Sequence, residues 1–349
     1  NGLWISELFP NLAKHADKLC LMNGMHTDLP SHPHSFVKMH TGNSQFVRPS
    51  LGAWTLYGLG TESKNLPGFI VLNPSSGNGG AQNYGSAFLP AIYQATPISG
   101  SSGQISNIAN RRMSRERQRM QLDLIQGLNQ GRLKQKQVDP NLESVIDSFE
   151  LAFKMQTEVP RLMNVYKESS SVRRAYGIGS RSTDSFGKQC LLARRMAEAG
   201  VRFIELNSGG WDHHRGLKSG MERNCRAIDK PIAALLADLE KRDMLKDTLV
   251  MWGGEFGRTP HGESDDGRDH NNRGYTMWMA GGGVKGGMRY GQTDEYGFAA
   301  VDGRMHIHDW HATVLHLLGL NHKKLTFNYS GRDFRLTDVH GNVAKEILA

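Results

Sequence analysis

The chain has 349 residues, enough to bury a full core as one large domain with an insertion or as two domains. Hydrophobic residues make up 38% of it, and no apolar run approaches bilayer length, which excludes a helical membrane span. The net charge of +8 favours anionic partners: phosphate or sulfate esters, acidic glycans, nucleic acid or anionic lipid surfaces.

The first expected element is a helix from about Leu3 to Ala16, with Leu8 and Leu12 at i, i+4 spacing. No signal peptide or initiator methionine precedes it, so the sequence reads as a processed chain or a fragment. A short strand, Leu19-Cys20-Leu21-Met22, is expected to break at Asn23-Gly24. A polar loop from Met25 to His34 leads into a helix from Pro33 to about Thr41, closed by Gly42. Such a loop at a helix N-terminus can hold an anion on free backbone N–H groups. Residues 68–72 read as a buried strand, and the Gly-, Ser- and Asn-rich stretch 73–103 as loop.

From 105 to 170 the texture turns charged and helix-favouring, and is read as a helical insertion or cap. Eight Lys/Arg against two acids fall between Arg111 and Lys136. Without interleaved aromatics this is a solvated face, and nucleic-acid binding is not expected. Beyond Ser180, strand and helix alternate: helix 186–199, strand 201–206, a helix carrying Ile228, Ile232, Leu235, Leu236 and Leu239, strand 249–252, strand 275–280, and helix 310–318. This order predicts an α/β fold with a mostly parallel sheet covered on both faces. Cys20, Cys190 and Cys225 lie far apart, exclude a zinc-finger set or disulfide framework, and read as buried free thiols.

Three polar clusters follow apolar runs and glycines: Trp211-Asp212-His213-His214, Gly253-Gly254-Glu255-Phe256-Gly257-Arg258, and Arg268-Asp269-His270. Strands ending in glycine and then in Asp, His or Glu offer ligands at the carboxyl edge of a sheet. Asp212, His214, Glu255 and His270 are therefore candidate ligands of a divalent metal: zinc, manganese, iron or calcium. Asp269 is placed either to orient His270 or to bind metal itself. Glu255 has a competing structural reading as a salt bridge to Arg258, and Arg258 could instead clamp an anionic oxygen. In the N-terminal loop, Thr27 and Ser31 are candidate nucleophiles, and His26, His32 and His34 candidate bases or ligands. The C-terminal histidines at 306, 308, 311, 316 and 322 read mostly as helix-face or turn residues without chemistry.

These motifs, with Asp309-Trp310-His311-Ala312-Thr313 and the following apolar helix, resemble the alkaline phosphatase/sulfatase superfamily. The chain is most similar to a bacterial domain-of-unknown-function family within it. The resemblance rests on Ala193-Arg194-Arg195, Gly210-Trp211-Asp212, Gly253 through Pro260, Gly267-Arg268-Asp269-His270, Met279 through Gly287, and Leu336-Thr337-Asp338-Val339-His340-Gly341. It implies an alkaline-phosphatase-like fold, metal ligation by Asp212, His214, Glu255 and His270, and a nucleophile in the Thr27–Ser35 loop. Phe256 stands where the superfamily has a second histidine, and the Cys/Ser-x-Pro-Ser-Arg signature core is absent. The resemblance also implies an upstream export signal and first strand, so this chain is expected to lack one central strand and to belong to a periplasmic or secreted protein.

The function expected is metal-dependent hydrolysis of an anionic small-molecule or polysaccharide ester, sulfate or phosphate, with Thr27, Ser31 and His32 in the reacting loop and Arg258 or the loop histidines steadying the developing negative charge. The alternative is a non-catalytic exported binding or surface-associated protein on the same scaffold.

Overall fold

The computed structural model describes residues 2–99, 112–136 and 140–349, with the side chains of 132–145 outside that description. In chain order its elements begin with β1 (Leu19–His26), α1 (His32–Thr41), α2 (Leu51–Leu59), β2 (Phe69–Leu72) and β3 (Thr96–Ile98). The helices α3 (Arg115–Lys136), α4 (Pro140–Met163), α5 (Ser170–Ala175) and α6 (Asp184–Glu198) lead to β4 (Phe203–Leu206), α7 (Leu217–Lys241) and β5 (Val250–Trp252). A ribbon of β6 (Gly257–Arg258) and β7 (His270–Asn271) precedes β8 (Tyr275–Ala280), β9 (Met288–Tyr290), β10 (Gln292–Thr293), β11 (Ala300–Asp302) and β12 (Met305–His306). The chain closes with α8 (Ile307–Leu317) and the hairpin β13 (Phe327–Tyr329) and β14 (Arg332–Phe334).

Two sheets organise the α/β fold. One runs β12-β1-β8-β5, with β9 also on β1, and the other β3-β2-β4. Parallel pairings predominate: β1 with β9 and β12, and β2 with β3 and β4, against antiparallel β1–β8 and β5–β8. Alternate residues along β8 face opposite layers. Tyr275, Met277 and Met279 join a core that includes Trp54 of α2 and Trp310 of α8, whereas Trp278 and Ala280 join Ile228, Ile232 and Leu236 of α7. A strand buried on both faces reads as a continuous apolar run, which is why these strands are evident in the sequence. In the second sheet Ile70 and Leu72 pack under Met155 and Val159 of α4 and Met196 of α6.

The expected helix over residues 3–16 is not formed. Turns lead into a 3-10 segment, Leu12–Lys18. Pro10 cannot donate an internal helical bond, and it biases Phe9 away from helical dihedrals. The buried Asp229 carboxylate then accepts the N–H groups of Asn11 at 3.1 Å and Leu12 at 2.8 Å, fixing a turn instead. β1 also runs past its expected stop, because Gly24 allows the 302–303 backbone to lie against it. A Cβ there would sit 2.6 Å from the Gly303 carbonyl oxygen. Within the expected loop 73–103, β3 adds to β2 as an edge strand, where Pro97 is tolerated.

In the basic stretch, Arg111 and the preceding residues lie outside the described residues. Arg119 is engaged internally, paired with Asp123 and Glu150 and set over the Phe153 ring. All three cysteines are buried and free. Among the described residues no helix is long and apolar enough to cross a membrane.

Two histidines of α8 hold the end of α1. His311 Nε2 donates to the Met39 carbonyl at 2.7 Å and His308 Nε2 to that of Gly42 at 2.8 Å. Burial pushes the His311 pKa from 6.5 down to about 3, so the folded chain keeps this ring neutral while the unfolded chain protonates it. The unfolded state then binds more protons between these values, and stability falls as pH drops through that window. Urea denaturation at pH 7.5 and 5 is expected to show a loss of about 2 kcal/mol from this residue alone. His311→Gln should flatten that slope, and an equally steep slope in the variant would contradict the assignment.

Candidate metal centre at the carboxyl edge

The loops leaving β1, β4 and β5 and the β6–β7 ribbon meet at one point. Asp212 follows β4, past Gly210, whose φ of 88° suits glycine. Arg258 and His270 are directly opposed in the β6–β7 register, which sets both beside Asp212. His32 opens α1 above them, with Ser31 as the N-terminal cap residue and Pro33 in the first turn.

The imidazoles are held in defined tautomers by groups behind them. His32 Nδ1 lies 2.5 Å from Glu255 Oε1, His214 Nδ1 2.7 Å from Glu263 Oε2, and His270 Nδ1 2.9 Å from the Pro30 carbonyl oxygen. Each Nδ1 therefore carries the donated proton, and in the neutral ring each Nε2 presents a lone pair. All three Nε2 atoms face Asp212: His214 at 3.0 Å and His270 at 3.2 Å from Oδ1, and His32 at 3.3 Å from Oδ2. The Nε2 atoms of His214 and His270 lie 3.1 Å apart, and that of His32 is buried without a hydrogen-bond partner. Lone pairs and a carboxylate converging in this way repel one another unless a cation sits among them. Two sets of donor atoms, His32/Asp212/His270 and His214/Asp269/His270, each lie within 4.8 Å of one another, and both fit a divalent metal.

Charge supports the same point. Arg258 Nη2 donates to Asp212 Oδ1 at 2.6 Å. Partial burial opposes ionisation of Asp212, but the hydrogen bond and positive charge of Arg258 hold its carboxyl well below the usual carboxylate range. The bond to Glu263 raises the His214 pKa, making that ring more basic. Phe256 walls the cluster, its ring centroid 4.8 Å from His32 and 4.6 Å from His270.

Of the residues singled out in the sequence, Asp212, His214, His270, His32 and Arg258 come together directly. Glu255 reaches the cluster through His32, and not by joining either donor set. Asp269 joins the second set, and its Oδ1 accepts the His270 backbone N–H at 2.7 Å. Ser31, the cap residue next to His32, is bonded through Oγ to His34 Nδ1 at 3.1 Å. Thr27 is buried, and its backbone pairs with Asn272. His213 turns inward, where a Cβ on Gly220 would lie 2.2 Å from its Nε2.

Two contributors are absent from the sequence reading. The Pro30 carbonyl has no side-chain signature. Glu263 lies in a turn whose signal is Gly267, where a Cβ would sit 1.9 Å from the His214 carbonyl oxygen.

A profile of the family described as "Protein of unknown function (DUF1501)" matches residues 1–348. The chain belongs to this family. No curated protein matches it. Among solved structures, this DUF1501 member is similar to one titled "Crystal structure of Ps i-CgsB in complex with k-i-k-neocarrahexaose", at 10% identity and a TM-score of 0.41 over 90% of this chain and 67% of the other.

If Glu255 acts by fixing His32, Glu255→Ala is expected to weaken zinc affinity by about 10- to 100-fold. Competition against a chromophoric chelator measures it, with exposed Glu222→Ala as the control. Equal affinity in Glu255→Ala and the control would rule out that role.

Proposed function

We propose that this chain is the catalytic body of an exported, metal-dependent hydrolase acting on an anionic sulfate or phosphate ester within the alkaline phosphatase/sulfatase superfamily. The convergence of three oriented Nε2 lone pairs on Asp212 carries this reading. A set rich in imidazole suits zinc, manganese or iron, whereas calcium takes oxygen ligands. A metal held there would act as a Lewis acid and lower the pKa of the attacking hydroxyl.

The chain's own residues supply the rest. Asp212, His32, His214, His270 and Asp269 form the donor set, with Glu255, Glu263 and Pro30 fixing ring orientation. Arg258, beside Asp212, is placed to steady negative charge developing on an ester oxygen. Ser31, adjacent to His32 in the chain, is favoured over the buried Thr27 as the attacking hydroxyl. Phe256 excludes water from one side. A polysaccharide ester is the favoured substrate class for a basic, exported chain.

One observation favours a second reading. Phe256 packs against both His32 and His270, where the superfamily resemblance implies a further histidine, which suits a protein that binds metal and anion without turnover.

Elemental mass spectrometry on the purified protein, paired with an aryl sulfate and aryl phosphate screen, tests both. The hydrolase reading expects near-stoichiometric metal that is lost in Asp212→Ala and His270→Ala, together with turnover reduced at least about 100-fold in both, since each removes Lewis-acid chemistry. Metal without turnover leaves the binding reading, and no metal in the parent protein overturns both.

A further inference from the structure

α1 carries His32 at one end, and its Lys38 lies against a separate cleft of about 660 Å³. That cleft is lined by Lys38, Lys323, Arg335, His308 and His340, together with Asp28, His306 and Asp309. The acids there are already committed. Asp309 caps α8, accepting from the His306 backbone at 2.9 Å, and holds the closing loop through the Asn342 N–H at 2.7 Å. Asp28 pairs with Lys38 and with His306, the latter at 2.9 Å.

The cations are not balanced in the same way. Among the described residues Lys323 has no carboxylate partner, and Arg335 uses only Nε, donated to the Asp338 carbonyl, leaving the guanidinium's terminal nitrogens for a ligand. His308 is 4% exposed. Its Nε2 is spent on Gly42, its Nδ1 has no partner, and its ring stacks on His340 at 5.1 Å. A cleft with two uncommitted cations, one of them a forked guanidinium, is a site for an oxyanion.

We propose that this cleft binds a second anionic group, a sulfate, phosphate or carboxylate, on the same extended ligand that presents its ester to the metal centre. As a substrate subsite it rests on the function proposed above. Lys38 follows His32 by six positions along α1, a spacing of about 9 Å along the helix axis. The loop 27–31 borders both places, with Pro30 serving His270 and Asp28 serving the cleft. The ligand class that satisfies both sites carries anionic groups on neighbouring units, as in a polyanionic oligosaccharide.

The test is direct binding of a sulfated tetrasaccharide and its desulfated counterpart, measured by calorimetry without turnover. The wild-type chain is expected to prefer the sulfated form. Lys323→Ala/Arg335→Ala, checked for folding by circular dichroism, should weaken that binding at least tenfold, and added inorganic phosphate should compete. Lys323→Glu, at an exposed position, provides a second variant expected to weaken binding in the same direction. His270→Ala should leave the dependence on Lys323 and Arg335 in place. If that dependence persists while the metal and turnover tests fail, the oxyanion site stands and the hydrolase reading falls. Sulfated-form affinity unchanged in both folded cleft variants overturns the proposal.

Discussion

The candidate site depends on hydrogen bonds made behind it. Glu255, Glu263 and the Pro30 carbonyl each take the Nδ1 proton of one imidazole, and that single constraint turns three Nε2 lone pairs toward Asp212. An imidazole free to exchange tautomers would present an N–H to the carboxylate and form an ordinary hydrogen bond. Fixed as they are, the rings leave a concentration of electron density at 3.0–3.3 Å that a divalent cation relieves.

The fold provides this constraint through α1. β4 and β5 deliver Asp212 and Glu255 but belong to different sheets. α1 ties the two together, with His32 on Glu255 and, two turns on, His40 Nε2 at 3.3 Å from Glu205 Oε1 in β4. Burial works against the His40 charge, yet Glu205 more than offsets it and raises the pKa, so the link is an ion pair. α8 in turn fixes α1 through His308 and His311. Among the histidines near the C-terminus, read from sequence as mostly without chemistry, His308 and His311 are thus structural, and His306 and His308 line the second cleft.

Much of the layered fold was legible in the sequence. Strands such as β8 and helices such as α7 are buried on a complete face or on both, which writes an apolar run or an i, i+4 stripe. The segment 3–16 was misread because its i, i+4 leucines suggested a helix that Pro10 and the distant Asp229 forbid. Asp212, His214 and His270 were legible because carboxylate and imidazole follow glycine or polar loops at strand ends. Their division into ligands and orienting groups was not. Glu255 stands behind His32, a residue 223 positions away in the chain, and only the fold, which sets the start of α1 against the loop after β5, brings them together. The Pro30 contribution is a backbone carbonyl and leaves no mark on residue identity.

The central claim is that His32, His214, His270 and Asp212 share a cation. Anomalous diffraction from crystals grown with zinc, recorded on both sides of the zinc absorption edge, tests it most directly. A single strong peak about 2.0–2.2 Å from at least two of the three Nε2 atoms and an Asp212 oxygen is the expected result. A peak elsewhere, or none at this cluster with its side chains in place, would contradict the account.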